Sequence, residues 1–101
     1  MKHKIFSIYD EKAQAYLPPF FLPTVGMAKR AFADCCNSDS HQFGKHPADF
    51  TLFELGEFDD AHGDIQTRAA FVSLGNGIVY KQSDEEADEA TLKLIAAGGT
   101  E

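Results

Sequence analysis

A chain of 101 residues with 44% hydrophobic and 12% aromatic side chains makes one domain around one core, which excludes wholesale disorder and leaves no room for a second domain. No apolar run approaches the ~20 residues of a membrane helix, and the charged start Met1-Lys2-His3-Lys4 has no apolar stretch behind it, so neither a span nor a secretory signal is expected. The net charge of −7 is uneven, with six Lys/Arg against five Asp/Glu in residues 1–50 and three against eleven in residues 51–101, so any contact with a polyanion must come from the front half.

Lys4 to Tyr9 is β-branched and aromatic and ends at Asp10-Glu11-Lys12, which predicts a strand. Ile5 is out of phase with Phe6 and Ile8, so both faces are apolar and the strand belongs in the middle of a sheet. Tyr16 to Pro23 sets three prolines among five bulky apolar residues. Proline forbids a central strand, so this stretch is expected to be an extended, polyproline-like arm. Its rings, Phe20 and Phe21, then need cover from the body, a second subunit or a ligand.

Thr24 is placed to cap a helix from Val25 to about Cys36, with Val25, Ala28, Phe32 and Cys35/Cys36 on one stripe and Lys29 and Arg30 largely off it. The two cysteines are neighbours, so no disulfide framework is expected and a reducing compartment fits. His41 to Asp49 reads as a loop punctuated by Gly44 and Pro47. Phe50 to Phe58 predicts a second strand, with Phe50, Leu52, Glu54, Gly56 and Phe58 on one face. Residues 59–64 turn the chain, His62-Gly63 supplying positive φ, and Ile65 to Leu74 returns as the other half of a hairpin. Gly75-Asn76-Gly77 turns again before a short final strand, Ile78 to Tyr80. Ser83 to Glu86 forms a capping box for an acidic helix or tail, one Lys against six acids in residues 82–101.

The expected fold class is α+β: a small antiparallel sheet packed by one main helix, with a proline-rich arm and an acidic C-terminal helix or tail. Residues 1–81 would form the domain and residues 82–101 the tail.

Catalytic and metal motifs are weak. Cys35, Cys36, His41 and His46 are zinc-ligand types, but no Cys-x-x-Cys pair exists and neighbouring cysteines on a helix diverge by about 100°. Asp59, Asp60 and Asp64 lack the spacing and final Glu of a calcium loop. There is no nucleophile elbow, no His-Glu-x-x-His and no phosphate-cradling glycine loop. The expectation is a binding protein, not an enzyme, with no catalytic residue, metal or cofactor. Single-stranded nucleic acid needs aromatic faces for stacking and cations for phosphates. The front half supplies Lys2, Lys4, Tyr9, Lys12, Tyr16, Lys29 and Arg30 as candidates, although a core role competes for every ring.

Phe6-x-x-Tyr9-Asp10-Glu11-Lys12-Ala13-x-Ala15-Tyr16-Leu17, then Pro19-Phe20-Phe21-x-Pro23-Thr24-x-Gly26, resembles the small nonstructural protein of gokushoviruses, single-stranded DNA phages of the Microviridae. The likeness continues through Phe43-Gly44-Lys45-His46-Pro47-x-Asp49-Phe50-x-Leu52-Phe53 and Leu55-Gly56-Glu57-Phe58-Asp59-Asp60. It implies a non-virion protein made in the cytoplasm of the infected bacterial host. The role implied lies in single-stranded genome synthesis or packaging, through binding of single-stranded DNA or of viral or host replication proteins. It carries over no site residues. The alternative is a protein–protein adaptor that never touches DNA, which the acidic back half favours. The arm residues Pro18, Pro19, Phe20, Phe21 and Leu22 further predict a homodimer that exchanges arms to cover them.

Overall fold

Strand β1 (Lys2–Asp10) is paired on both edges. On one side it runs antiparallel to β4 (Phe50–Asp59), from Lys2 opposite Asp59 to Asp10 opposite Phe50. On the other lie two short antiparallel partners, β2 (Ala15–Tyr16) and β3 (Phe20–Leu22). β5 (Asp64–Asn76) pairs with the far edge of β4, giving the order β2-β1-β4-β5 with β3 beside β1. These elements belong to a computed structural model that describes residues 1–81. The predicted acidic helix or tail of residues 82–101 lies outside the described residues.

The helices cover one face of this sheet. α1 (Val25–Cys36) starts at Thr24, whose Oγ1 accepts from the Met27 N–H at 3.2 Å, and buries Ala28, Phe32 and Cys36. Those side chains meet Phe6 and Ile8 of β1, Phe50 and Leu52 of β4, and Phe43 of the short α2 (Gln42–Lys45). Phe6 and Leu52 are wholly enclosed, and burying such a side chain contributes about 1.5–3 kcal/mol. Residues 77–81 are helical and bring Tyr80 edge-on to Phe32 at 5.2 Å, its hydroxyl donating to the Leu74 carbonyl at 2.6 Å.

Four expectations are corrected. First, the arm is not a polyproline extension: Phe20, Phe21 and Leu22 pair with Phe6, Ile5 and Lys4. Pro18, Pro19 and Pro23 lie just outside the three paired residues, so their missing N–H groups cost no ladder bond. Phe20 lies 5.7 Å from Phe6 and Leu22 packs on the core, so the chain covers much of this apolar surface itself. Second, the loop expected over 41–49 holds α2 and a 3-10 turn, Pro47–Asp49. His41 Nδ1 accepts the Phe43 N–H at 3.0 Å and caps α2. Third, the final strand expected over 78–80 is helical, because Asn76 Oδ1 takes the Ile78 N–H at 3.0 Å and turns the chain inward.

The fourth correction concerns β4. Its pairing with β1 steps from Glu54–Phe6 directly to Gly56–Ile5, leaving Leu55 as an extra residue. On the other edge the step from Glu54–Val72 to Gly56–Thr67 leaves Arg68 to Phe71 opposite Leu55 alone. Such bulges bend and twist a strand, and here they curl the sheet. They also exchange faces: Leu52 joins the helix-side core, whereas Phe58 meets His3 and Phe21 on the opposite side.

Gly56 is the residue that permits this. A Cβ there would lie 2.1 Å from the Gln66 carbonyl oxygen and 2.8 Å from Thr67 Cα. Gly56→Ala is expected to destabilise the fold by ~1–3 kcal/mol, read from urea unfolding. Gly26→Ala is expected to be neutral or to stabilise by up to ~1 kcal/mol, since only Thr24 Oγ1 at 3.9 Å is near.

Candidate functional site

Alternation along β1 sends Phe6 and Ile8 under the helices and leaves His3, Ile5, Ser7 and Tyr9 on the other face. No helix among the described residues covers that face. Ile5 and Ser7 are nonetheless buried, Ser7 donating its hydroxyl to the Leu17 carbonyl at 2.6 Å. Aromatic rings gather at its two ends.

At one end Tyr16 is the centre of an edge-to-face group. Its ring centroid lies 4.9 Å from Tyr9, 5.7 Å from Phe53 and 6.0 Å from Phe71. The contact reaches from β2 across the sheet to β5, which the curl makes possible. Tyr16 and Phe71 remain 45% and 43% exposed. At the other end His3, Phe21, Phe58 and Ile65 line a hollow of about 420 Å³. Phe21 is edge-on to Phe58 at 5.7 Å, and His3 lies 6.0 Å from Phe58. Edge-to-face pairs of this kind contribute ~0.5–1.5 kcal/mol beyond their buried area, and here Tyr16 and Phe71 keep nearly half of their surface exposed.

The cations singled out in the sequence do not gather on this face. Lys4 is on the opposite side, its Nζ 3.8 Å from the buried Glu54 carboxylate and 3.7 Å from Glu57. Glu54 also pairs with Arg68 at 3.4 Å. Lys29 and Arg30 are exposed on α1, whose inner stripe packs on the helix side of the sheet. Lys2 is exposed at the start of β1. Lys12 is exposed in the turn after β1 and lines a separate hollow of about 520 Å³ with His46, Pro47, Ala48, Asp49 and Ile78. Tyr9 and Tyr16 are brought together; the seven candidates as a group are not. Of the arm residues, Phe21 reaches the ring face while Phe20 and Leu22 go to the core. Sequence reading passed over Phe53, Phe71, His3, Phe58 and Ile65. Alternation already separates Phe53 from Phe50 and Leu52, but Phe58 changes sides only through the Leu55 bulge.

Carboxylates crowd the hairpin turn. Asp60 accepts from His3 Nε2 at 2.8 Å and from the Met1 amine at 2.7 Å. Those hydrogen bonds, the amine's first, hold its carboxyl below the usual range. Asp59 is lowered chiefly by the hydrogen bond with His62 Nδ1 at 2.9 Å, and next by the Ala61 N–H. Burial raises the Cys35 thiol, which keeps it protonated and a poor nucleophile.

A lowered carboxyl stabilises the folded turn above its ordinary value of 3.8 and loses that contribution as pH falls through the lower folded value. His62→Ala is therefore expected to move the Asp59 titration upward toward 3.8, as followed by carboxyl carbon NMR. An unmoved Asp59 would show that His62 does not set it.

The Phage ORF5 protein family matches the chain over residues 3–80, and the chain belongs to that family. No curated protein and no solved structure matches it. The matched span takes in nearly all of the curled sheet and helical cover, and both ring groups. No helix among the described residues is long and apolar enough to cross a membrane.

Proposed function

With membership of the Phage ORF5 protein family as the premise, we propose that this chain is a non-enzymatic phage protein that binds single-stranded DNA on the open face of its sheet. It would act in the cytoplasm of the infected bacterium, during single-stranded genome synthesis or packaging, without metal or cofactor. One observation carries the reading: Tyr9, Tyr16, Phe53 and Phe71 make a continuous ring group on the sheet face that no described helix covers, with Tyr16 and Phe71 nearly half exposed. Base–aromatic stacking contributes ~1–3 kcal/mol per base and tolerates any sequence. Affinity on such a face comes from rings more than from phosphate pairing, because Lys4 is held by Glu54 and Glu57 and Lys29 and Arg30 lie on another layer.

A second reading, a protein–protein adaptor, draws on the acid-rich hairpin, where Asp59, Asp60 and Asp64 stand beside the ring hollow. Anisotropy of labelled oligo-dT separates the two. Under the DNA reading, Tyr16→Ala and Phe71→Ala each weaken binding by ~1–3 kcal/mol, and Lys29→Glu with Arg30→Glu leaves it unchanged. The salt slope stays shallow, at about −0.7 for each of a few phosphates. No binding at low salt, or binding lost only with the α1 charge reversal, would refute the ring-face reading.

A further inference from the structure

β5 is an edge strand: β4 pairs with one side of it, and among the described residues nothing pairs with the other. It is 13 residues long, and Asp64 to Ser73 are all exposed. Natural edges are commonly blunted by lysine, proline or a bulge. The bulge here falls at Arg68–Phe71, and residues 64–67 keep a regular register with β4 and contain neither lysine nor proline.

The short segment Asp64-Ile65-Gln66-Thr67-Arg68 is complementary to itself when reversed. An antiparallel copy centred on Gln66 sets each Asp64 opposite the other chain's Arg68, each Ile65 opposite Thr67, and Gln66 opposite Gln66. We propose that two copies of this chain pair through these β5 edges about a two-fold axis, joining their sheets into one. Gln66 Nε2 donates to Asp64 Oδ2 at 3.1 Å, placing both on one face of β5; Arg68, the first bulged residue, reaches that same side, since it pairs with Glu54, which shares Lys4 with the Glu57 opposite Gln66. Asp64 also stands directly across from Asp59 on β4, a like-charge pair at the end of the hairpin. An incoming Arg68 neutralises it. Arg68 gives only Nη1 to Glu54, at 3.4 Å, and a guanidinium has five N–H donors.

Registers centred farther along β5 offer no such match. Pairing about Ala70 would set Arg68 opposite Val72 and centre the ladder within the bulge, whereas the Gln66-centred ladder takes in only its first residue, Arg68. The Gln66-centred ladder is short, ending where each hairpin turns at Gly63, which has φ 64°. On the ring side it covers Ile65, 58% exposed in the single chain. The Ile65 side chains of the two copies become diagonal neighbours, ~7–8 Å apart, and the two ring faces become continuous. This inference does not depend on DNA binding.

Light scattering of the full chain at high micromolar concentration, combined with cross-linking, tests it. In a Cys35→Ser background, Gln66→Cys is expected to give a covalent dimer with a short bifunctional maleimide, whereas Ser73→Cys is not. Asp64→Arg, which faces Arg68 with a like charge twice, is expected to weaken the dimer roughly tenfold or more. A strictly monomeric wild type would overturn the proposal. So would a dimer in which Gln66→Cys cross-links no better than Ser73→Cys, or one indifferent to Asp64→Arg.

Discussion

A single strand with two apolar faces organises this molecule. β1 gives Phe6 and Ile8 to the core beneath α1 and gives Ile5, Ser7 and Tyr9 to the other side. Neighbours hold both of its edges, so it cannot slip by one residue without moving every ring to the wrong face. Each later element answers to it. β4 follows it for most of its length, and β3 and Leu17 close its other edge. The Leu55 bulge then turns the far half of β4. Phe58 thereby joins the face of His3 and Phe21, where unbroken alternation from Leu52 would have sent it to the helix side.

That arrangement divides the aromatic residues by task. Phe6, Phe32, Phe43 and Phe50 are buried and supply the apolar free energy of the fold. Tyr9, Tyr16, Phe53 and Phe71 hold one another edge-on where no described helix reaches them. The charges are divided as well. Lys4 and Arg68 are occupied by Glu54, a carboxylate only 7% exposed, and removing both cations would strand a buried charge. Their first task is structural, which is why the proposed contact with DNA rests on the ring group and not on a cationic strip.

The local signals in the sequence were sound where local physics decides. The β1 alternation and the Thr24 cap with its Ala28–Phe32 stripe form as their residues dictate, and in the hairpin turn Gly63 alone, not His62, takes positive φ. The misreadings arise where a distant partner decides. Proline argued against a strand at 18–23, yet the pairing uses only the three residues between the prolines. Gly44 looked like loop punctuation, but a Cβ there would sit 1.9 Å from the Ser38 carbonyl oxygen, so it is a packing residue of α2. Ile78 and Val79 are β-branched, but the Asn76 cap turns the chain into a helix that sets Tyr80 against Phe32. Of the candidate site, Tyr9 and Tyr16 were named as stacking rings, but their meeting was not legible, because Tyr16 was expected in a polyproline-like arm and not in the short strand that pairs with Tyr9. The separation of Lys29 and Arg30 from those rings was not, since it depends on which sheet face α1 covers.

The central claim is the proposal that the sheet face free of described helices is the one that meets single-stranded DNA. Ring and amide NMR shifts recorded while oligo-dT is added to the full chain test it most directly. Changes concentrated at Tyr9, Tyr16, Phe53 and Phe71, with Lys29 and Arg30 of α1 unmoved, are the expected result. Changes centred on α1 with silent Tyr16 and Phe71 rings would contradict the account.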